Sequence, residues 1–333
     1  MAGVVNNVAS TVYGTSGIAD RSRGAADVAA ARTAFPDWRF APNIGGHPEI
    51  YEIENRALDP DGHVLAAMRN LAPWDGRTLV DLGCGTGFWL PGYARDAARV
   101  IGIEPDPVLR ARAAARIRGL PAPEAAPGSA NAARPDECQS AVLGCAPGPD
   151  SSRWLPGSVE VLPGSAEHLP LADRSADVVH ARFAYFLSPG IVGGEKAADI
   201  AGGMPAGPGG GKARGAPGDA GLAEVMRVLR PGGSLIVVDN DYRWGEFAGL
   251  LAAAASVPPQ HTASAIDAWW RERGATRHEV RSHWRFASRA NLAAVLNIEV
   301  PATVARAWLA RHPAATSLSY GHVLFAVTRS RRV

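Results

Sequence analysis

The chain has little cysteine and almost no lysine. Cys84, Cys138 and Cys145 are its only cysteines among 333 residues. That is too few for a disulfide framework, and the expected address is a reducing cytoplasm. Lysine occurs at Lys196 and Lys212 alone, so arginine carries nearly all the positive charge. A net charge of +2 falls short of the strongly basic balance of a dedicated nucleic-acid binder. With abundant Ala, Gly and Pro, the arginine usage reads as compositional bias. Long apolar runs are also missing: stretches such as Leu250 to Ala255 are far below the roughly 20 residues that cross a bilayer. The start, Met1-Ala2-Gly3-Val4-Val5-Asn6-Asn7, lacks the basic flank and apolar run of a secretory signal. What is present, 47% hydrophobic and 20% charged residues, fits a soluble globular protein with a sizeable core.

Regular patterning is unevenly distributed. Residues 121–157 hold prolines at 121, 123, 127, 135, 147, 149 and 156, and residues 188–219 contain the run Gly202 to Gly211 with Pro205 and Pro208 inside it. Neither shows period 2 or 3.6, so both are expected as flexible surface insertions. The expected organisation is a flexible N-terminal segment at 1–45, then one domain at 46–333 interrupted by these two insertions.

Between them, short apolar runs alternate with helical stripes. Thr78 to Leu82, Arg99 to Ile103, Ser158 to Leu162, Asp177 to Ala181 and Ser234 to Val238 read as buried strands. Asp59-Pro60 and Asp106-Pro107 predict helix starts, an N-cap followed by Pro at the first helical position. Leu222, Val225, Met226 and Leu229 form a helical stripe ending at Pro231-Gly232-Gly233, and Ala263 to Arg273 predicts another helix stopped by Gly274. His278 to Phe286 alternates as a half-exposed strand. Ser288 and Pro301 each open a helix, and Tyr320 to Thr328 closes as a strand. The expected fold is α/β, a Rossmann-like, seven-stranded, mostly parallel sheet with helices on both faces and an N-terminal helical extension.

The main chemical signal is Val80-Asp81-Leu82-Gly83-Cys84-Gly85-Thr86-Gly87-Phe88, a strand entering a glycine-rich turn. Glycines allow positive φ and let a ligand lie against bare backbone. Glu104, at the end of the next strand, stands where such folds present a carboxylate to ribose hydroxyls. A dinucleotide fingerprint wants a third glycine where this chain has Phe88, and the charge of Asp81 would oppose a pyrophosphate. The same charge favours a cofactor with ammonium and sulfonium centres, which points to S-adenosylmethionine (SAM).

Four segments in order carry a resemblance: Val80 to Gly87; Gly102-Ile103-Glu104-Pro105-Asp106; Gly164-Ser165-Ala166-Glu167-His168-Leu169-Pro170-Leu171; and Arg227-Val228-Leu229-Arg230-Pro231-Gly232-Gly233. The chain resembles a class I SAM-dependent methyltransferase of the small-molecule type, related in pattern to the ubiquinone/menaquinone-biosynthesis methyltransferases, over residues 75–187 and 220–241. The resemblance implies that Asp81 and the backbone of Gly83, Cys84, Gly85 and Gly87 hold the methionine part of the cofactor. It implies that Glu104 binds the ribose and that Pro105, Asp106, Ser165, Ala166 and Glu167 border the adenine. His180 to Phe183, including Arg182, would line the cofactor near its methyl. Ser165 departs from the Asp common in the family, which weakens the expected contact with the adenine amino group.

Methyl transfer needs a nucleophile about 3 Å from the methyl carbon and, for a hydroxyl or ammonium acceptor, a general base. His180 and Asp241 are the candidates. The segment Ala181-Arg182-Phe183-Ala184-Tyr185 lacks the Asn-Pro-Pro-aromatic signature of amino-directed base methyltransferases, and no Pro-Cys pair offers a nucleophile for pyrimidine C5 chemistry. His278 and His283 fall on opposite faces of a strand, so no metal site is expected. Arg110, Arg112, Arg116 and Arg118 spread around one helix, as a solvated surface would. Tyr51 to Arg56 is a candidate lid over the cofactor. Trp244, Phe247, Trp269, Trp270 and Trp284 are candidates for an aromatic acceptor pocket. The expected activity is methyl transfer from SAM to a small organic acceptor. An RNA or protein acceptor is the second enzymatic reading, and a SAM-binding regulatory or scaffold protein without turnover is the reading from another class.

Overall fold

The structure, a computed structural model, describes residues 29–35, 41–119, 158–183, 219–254 and 259–331. The insertion expected at 121–157 lies outside these residues, as does the other up to 218; residue 219 already opens a helix. Within the expected N-terminal segment, residues 29–34 and α1 (Pro42–Gly45) are helical.

Seven strands form one sheet in the order β3-β2-β1-β4-β5-β7-β6. They are β1 (Thr78–Leu82), β2 (Arg99–Ile103), β3 (Ser158–Leu162), β4 (Ala176–Arg182), β5 (Leu229–Asn240), β6 (Thr276–Arg285) and β7 (Ser317–Thr328). The first five run parallel, and β7 inserts antiparallel between β5 and β6. Chain order runs outward from β1 through β2 to β3, then returns to place β4 on β1's other side. The carboxyl ends of β1 and β4 therefore border the topological switch point, where open α/β sheets bind ligands.

Both faces of the sheet are covered, which explains the unbroken apolar runs of β1 and β2. On one face Val80, Ile101, Val179 and Val237 pack against Val225 of α6 (Asp219–Val228) and Ile266 and Trp270 of α8 (Pro259–Glu272). On the other, Leu79, Val100, Val178 and Ile236 meet Met68 of α3 (His63–Leu71), Tyr93 of α4 (Leu90–Tyr93) and Ala113 of α5 (Pro107–Arg118). A third cluster joins α2 (Pro48–Ala57), α7 (Glu246–Ala254), α9 (Arg289–Glu299) and α10 (Ala302–Arg311) around Trp284.

Two caps behave as their residues predict. Asp106 Oδ1 accepts N–H groups from Val108 and Leu109, and Ser288 Oγ accepts that of Asn291. Asp59 differs. The helix after it starts at His63 rather than Pro60, and Asp59 stands outside it at φ 51°. From there its Oδ2 reaches forward to the N–H groups of Val64 and Leu65, while Oδ1 accepts the Ser282 hydroxyl. The capping acceptor is thus anchored to β6.

The expected aromatic pocket does not form. Trp270 is fully buried and stacks on Phe325, with Trp269 beside it, on one face of the sheet. Trp284 and Phe247 pack together in the separate α2–α9–α10 cluster. Trp244 lies under the Arg281 guanidinium. Large rings fill core positions because each removes so much apolar area from water.

Candidate active site

The glycine turn is tied to the end of β2. Gly83 and Cys84 donate their N–H groups to the Ile103 carbonyl at 2.8 and 3.0 Å. Gly85 has φ 57° and its N–H donates to Glu104 Oε2 at 2.8 Å. Glu104 Oε1 accepts the N–H of Asp106, also at 2.8 Å. Gly87, at φ 71°, lies so close to α5 that an added Cβ would stand 2.8 Å from the Cβ of Ala113. Only glycine satisfies both the backbone angle and that approach.

Two buried carboxylates flank this turn. Asp81, 3% exposed, is pushed up to about 6 by burial, with the Arg182 guanidinium opposing the shift. Burial likewise pushes Glu104 up to about 7, opposed by its two backbone hydrogen bonds. Both therefore titrate near neutrality, and a cationic ligand would favour their ionised forms. Burial raises the Cys84 thiol, which keeps it protonated.

The turn is covered by α2. A Cβ at Gly85 would lie 3.1 Å from both Cε1 and Oη of Tyr51, so this ring rests on the backbone of the turn. Ion pairs Glu49–Arg112 and Glu52–Arg116 hold α2 to α5, and Arg116 Nε also donates to the Thr86 carbonyl at 3.1 Å. Arg110 Nη1 donates to the carbonyls of Glu104 and Pro105. Of the arginines expected as a solvated surface, Arg110 and Arg116 instead fasten the site, while Arg112 pairs with Glu49 at an exposed position; Glu49 and Glu52 come from a distant segment that helix periodicity does not reveal.

Ser165 and Ala166, both buried, lie between β3 and β4, where a bridge joins Ser165 to His168; Glu167 is half-buried. The Ser165 and Thr86 hydroxyls have no hydrogen-bond partner among the described residues. Asp106 serves as the cap of α5 and as a donor to Glu104. The structure thus gathers Asp81, the glycine turn, Glu104, Pro105, Asp106 and Arg182 around the switch point.

The two candidate bases stand apart. His180 pairs with Asp81 in the sheet register but is wholly buried, edge-on to Trp74 and Tyr93 with ring centroids 5.2 and 5.1 Å away. Neither ring nitrogen has a partner among the described residues, and burial, reinforced by Arg182, pushes its pKa down to about 3. Asp241 accepts the Arg243 N–H at 3.0 Å and lines a different small recess with Ile266, Asp267 and Arg277.

Sequence reasoning missed His322, Tyr320 and Asn240. His322 pairs with Asn240 across β5 and β7, is fully buried, and lies 4.2 Å from Tyr320 and 6.0 Å from Phe183 by ring centroids. The Tyr320 hydroxyl donates to Asn240 Oδ1. Phe183, just after β4, has φ 53°, an uncommon angle for a bulky residue and a frequent mark of functional segments. The Arg182 guanidinium stacks 3.9 Å from the centroid of Trp89. The available signal was a polar residue at the carboxyl end of β5 and a histidine inside an apolar strand.

No known family profile matches the chain. It is 38% identical over 56 residues to the cypemycin N-terminal methyltransferase of a Streptomyces species, a match covering 17% of this chain and 23% of that protein. Among solved structures, it is similar to the YcgJ protein of Bacillus subtilis (14% identity, 80% of this chain and 98% of that one, TM-score 0.44). It is also similar to a SAM-dependent methyltransferase of Aquifex aeolicus (15%, 86% and 98%, 0.42) and to a geranyl diphosphate methyltransferase in complex with SAM (14%, 87% and 91%, 0.41).

Proposed function

We propose that this chain is a SAM-dependent methyltransferase acting on a small organic acceptor. The observation that carries the reading is the pair of buried carboxylates, Asp81 and Glu104, on either side of a glycine turn at the switch point. Both charges would repel an anionic ligand; SAM offers an ammonium and a sulfonium to Asp81 and ribose hydroxyl donors to Glu104. The unpartnered hydroxyl of buried Ser165 fits an adenine amino group, and Glu104 can accept ribose hydroxyls at its remaining lone pairs.

In this reading Asp81 and the backbone of Gly83, Cys84, Gly85 and Gly87 orient the methionine end. Glu104 orients the ribose, and Pro105, Asp106, Ser165, Ala166 and Glu167 border the adenine. SAM supplies an electrophilic methyl on a good leaving group. The residues of this chain therefore act by positioning and by excluding water, the latter through Tyr51 and α2. A buried imidazole near pKa 3 takes up no proton at neutral pH, so His180 is assigned to supporting Asp81 and Arg182 from below, and Asp241 is left to the recess it lines.

Among the described residues no helix is long and apolar enough to cross a membrane. With three cysteines we place the protein in the cytoplasm, and with a net charge of only +2 we assign it no nucleic-acid partner. A second reading, a peptide α-amino acceptor, draws on the 38% identity over 56 residues with the cypemycin N-terminal methyltransferase. Calorimetric titration with S-adenosylhomocysteine, SAM and NADH tests the first reading. The two adenosyl compounds should bind and be lost in Asp81→Ala and Glu104→Ala. NADH binding alone would overturn it.

A further inference from the structure

We propose that Arg182 and His322 form an anion subsite for the acceptor, so that the molecule methylated here carries a carboxylate or phosphate. The inference rests on the methyltransferase reading and narrows its substrate class.

Several arginines of the fold hold carboxylates: Arg116 pairs with Glu52, Arg227 with Glu224 and Asp173, Arg273 with Asp219, Arg277 with Asp267 and Glu279. Arg182 forms no ion pair among the described residues. It stacks on Trp89, and its buried Nε–H has no acceptor among the described residues. Around it the pattern repeats. His322 is fully buried and, among the described residues, both its nitrogens are unpartnered, while the hydroxyl of fully buried Tyr93 stands within reach of Arg182. Each of these groups can donate a hydrogen bond, and buried polar groups in folded proteins are rarely left unpaired. A cluster of donors with one fixed positive charge is complementary to an anion, to which a guanidinium offers two parallel N–H groups. Burial and the Arg182 charge keep His322 neutral, which leaves it one donor and no competing charge. Trp89 and Phe183 supply apolar walls.

The methionine carboxylate of the cofactor offers the same chemistry from a nearer source. The acceptor is favoured by placement. Trp89 and Tyr93 flank Arg182 on the glycine-turn side, but His322 lies on β7, two strands beyond Arg182 in the sheet and away from that turn. A carboxylate turned back toward β1 would meet the charge of Asp81.

The test uses the full chain saturated with S-adenosylhomocysteine and titrated with benzoate, phenyl phosphate and, as the uncharged control, benzamide. The anions should bind at least about tenfold more tightly than benzamide. Arg182→Gln should remove roughly tenfold to hundredfold of that affinity, the loss expected for hydrogen bonds to a charged group. His322→Phe should weaken it less, with S-adenosylhomocysteine affinity unchanged, and Arg182→Lys should retain part of it. If Arg182→Gln weakens S-adenosylhomocysteine but not 5′-methylthioadenosine, which lacks the amino-acid carboxylate, the arginine serves the cofactor and the proposal fails. Anions binding no better than benzamide would also sink it. If the wild type binds no S-adenosylhomocysteine, the methyltransferase reading falls; Arg182-dependent binding of phenyl phosphate to the protein alone then keeps the anion site, and its loss removes both.

Discussion

Replacing Asp81 by Asn should make the protein more stable and less able to bind its cofactor, and the size of the gain should depend on pH. The carboxyl group has an ordinary value of 3.8 and is raised to about 6 by burial. Between these values the folded state holds a proton that the unfolded state has released, so stability falls as pH rises through this window. The difference is about 2.2 units at about 1.4 kcal/mol each, which gives about 3 kcal/mol once pH exceeds 6. At pH 5 the folded carboxyl is mostly protonated, and the same linkage leaves about half of that cost. Asn removes the charge while keeping the shape. In urea melts at pH 8, Asp81→Asn should therefore be about 3 kcal/mol more stable than the wild type, shrinking to roughly 1.5 kcal/mol at pH 5. In thermal melts the pH 8 gain corresponds to roughly 6 °C for a domain of this size. Affinity for S-adenosylhomocysteine should fall by roughly tenfold to hundredfold. A variant less stable than the wild type at pH 8, or a difference that does not change between pH 5 and 8, would refute the reasoning, because either would mean that Asp81 is satisfied in the fold and not strained for a ligand.

Asp59→Ala removes the acceptor of two helix N–H groups and of the Ser282 hydroxyl, and should cost about 2–3 kcal/mol, read as a lower urea midpoint with unchanged slope. Gly87→Ala combines a positive φ with a contact against Ala113 and should cost about 2 kcal/mol or more, while the same change at exposed Gly249, where nothing lies near, should stabilise its helix by up to about 1 kcal/mol. Tyr51→Ala uncovers Gly85; stopped-flow mixing with S-adenosylhomocysteine should show faster association and faster release, and unchanged rates would mean that α2 does not gate the turn.

Much of the architecture was legible because its signals are local. Thr78 to Leu82 and Arg99 to Ile103 are short apolar runs because strands covered on both faces have no solvent side to pattern. Asp106 and Ser288 are legible as caps because a capping oxygen serves N–H groups two or three residues onward. Asp81 and Glu104 could be placed because each stands at the carboxyl end of such a run. Asp59 shows the limit: its side chain caps a helix four residues away, a distance that works only because Ser282 of β6 holds it there.

The sequence by itself determined the strands, most helices, the glycine turn and the two carboxylates beside it, since all of these follow from periodicity and from the backbone freedom of glycine. Only the tertiary structure decided which tryptophans are core, which arginines fasten α2 over the turn, and that Arg182, Tyr93 and His322 share one side of the sheet. The reason is geometric. Side-chain alternation states which residues of one strand share a face, but neighbours across a sheet depend on strand order, and here β7 enters antiparallel between β5 and β6. That insertion sets His322 opposite Asn240, 82 positions earlier in the chain, a pairing for which no local pattern exists.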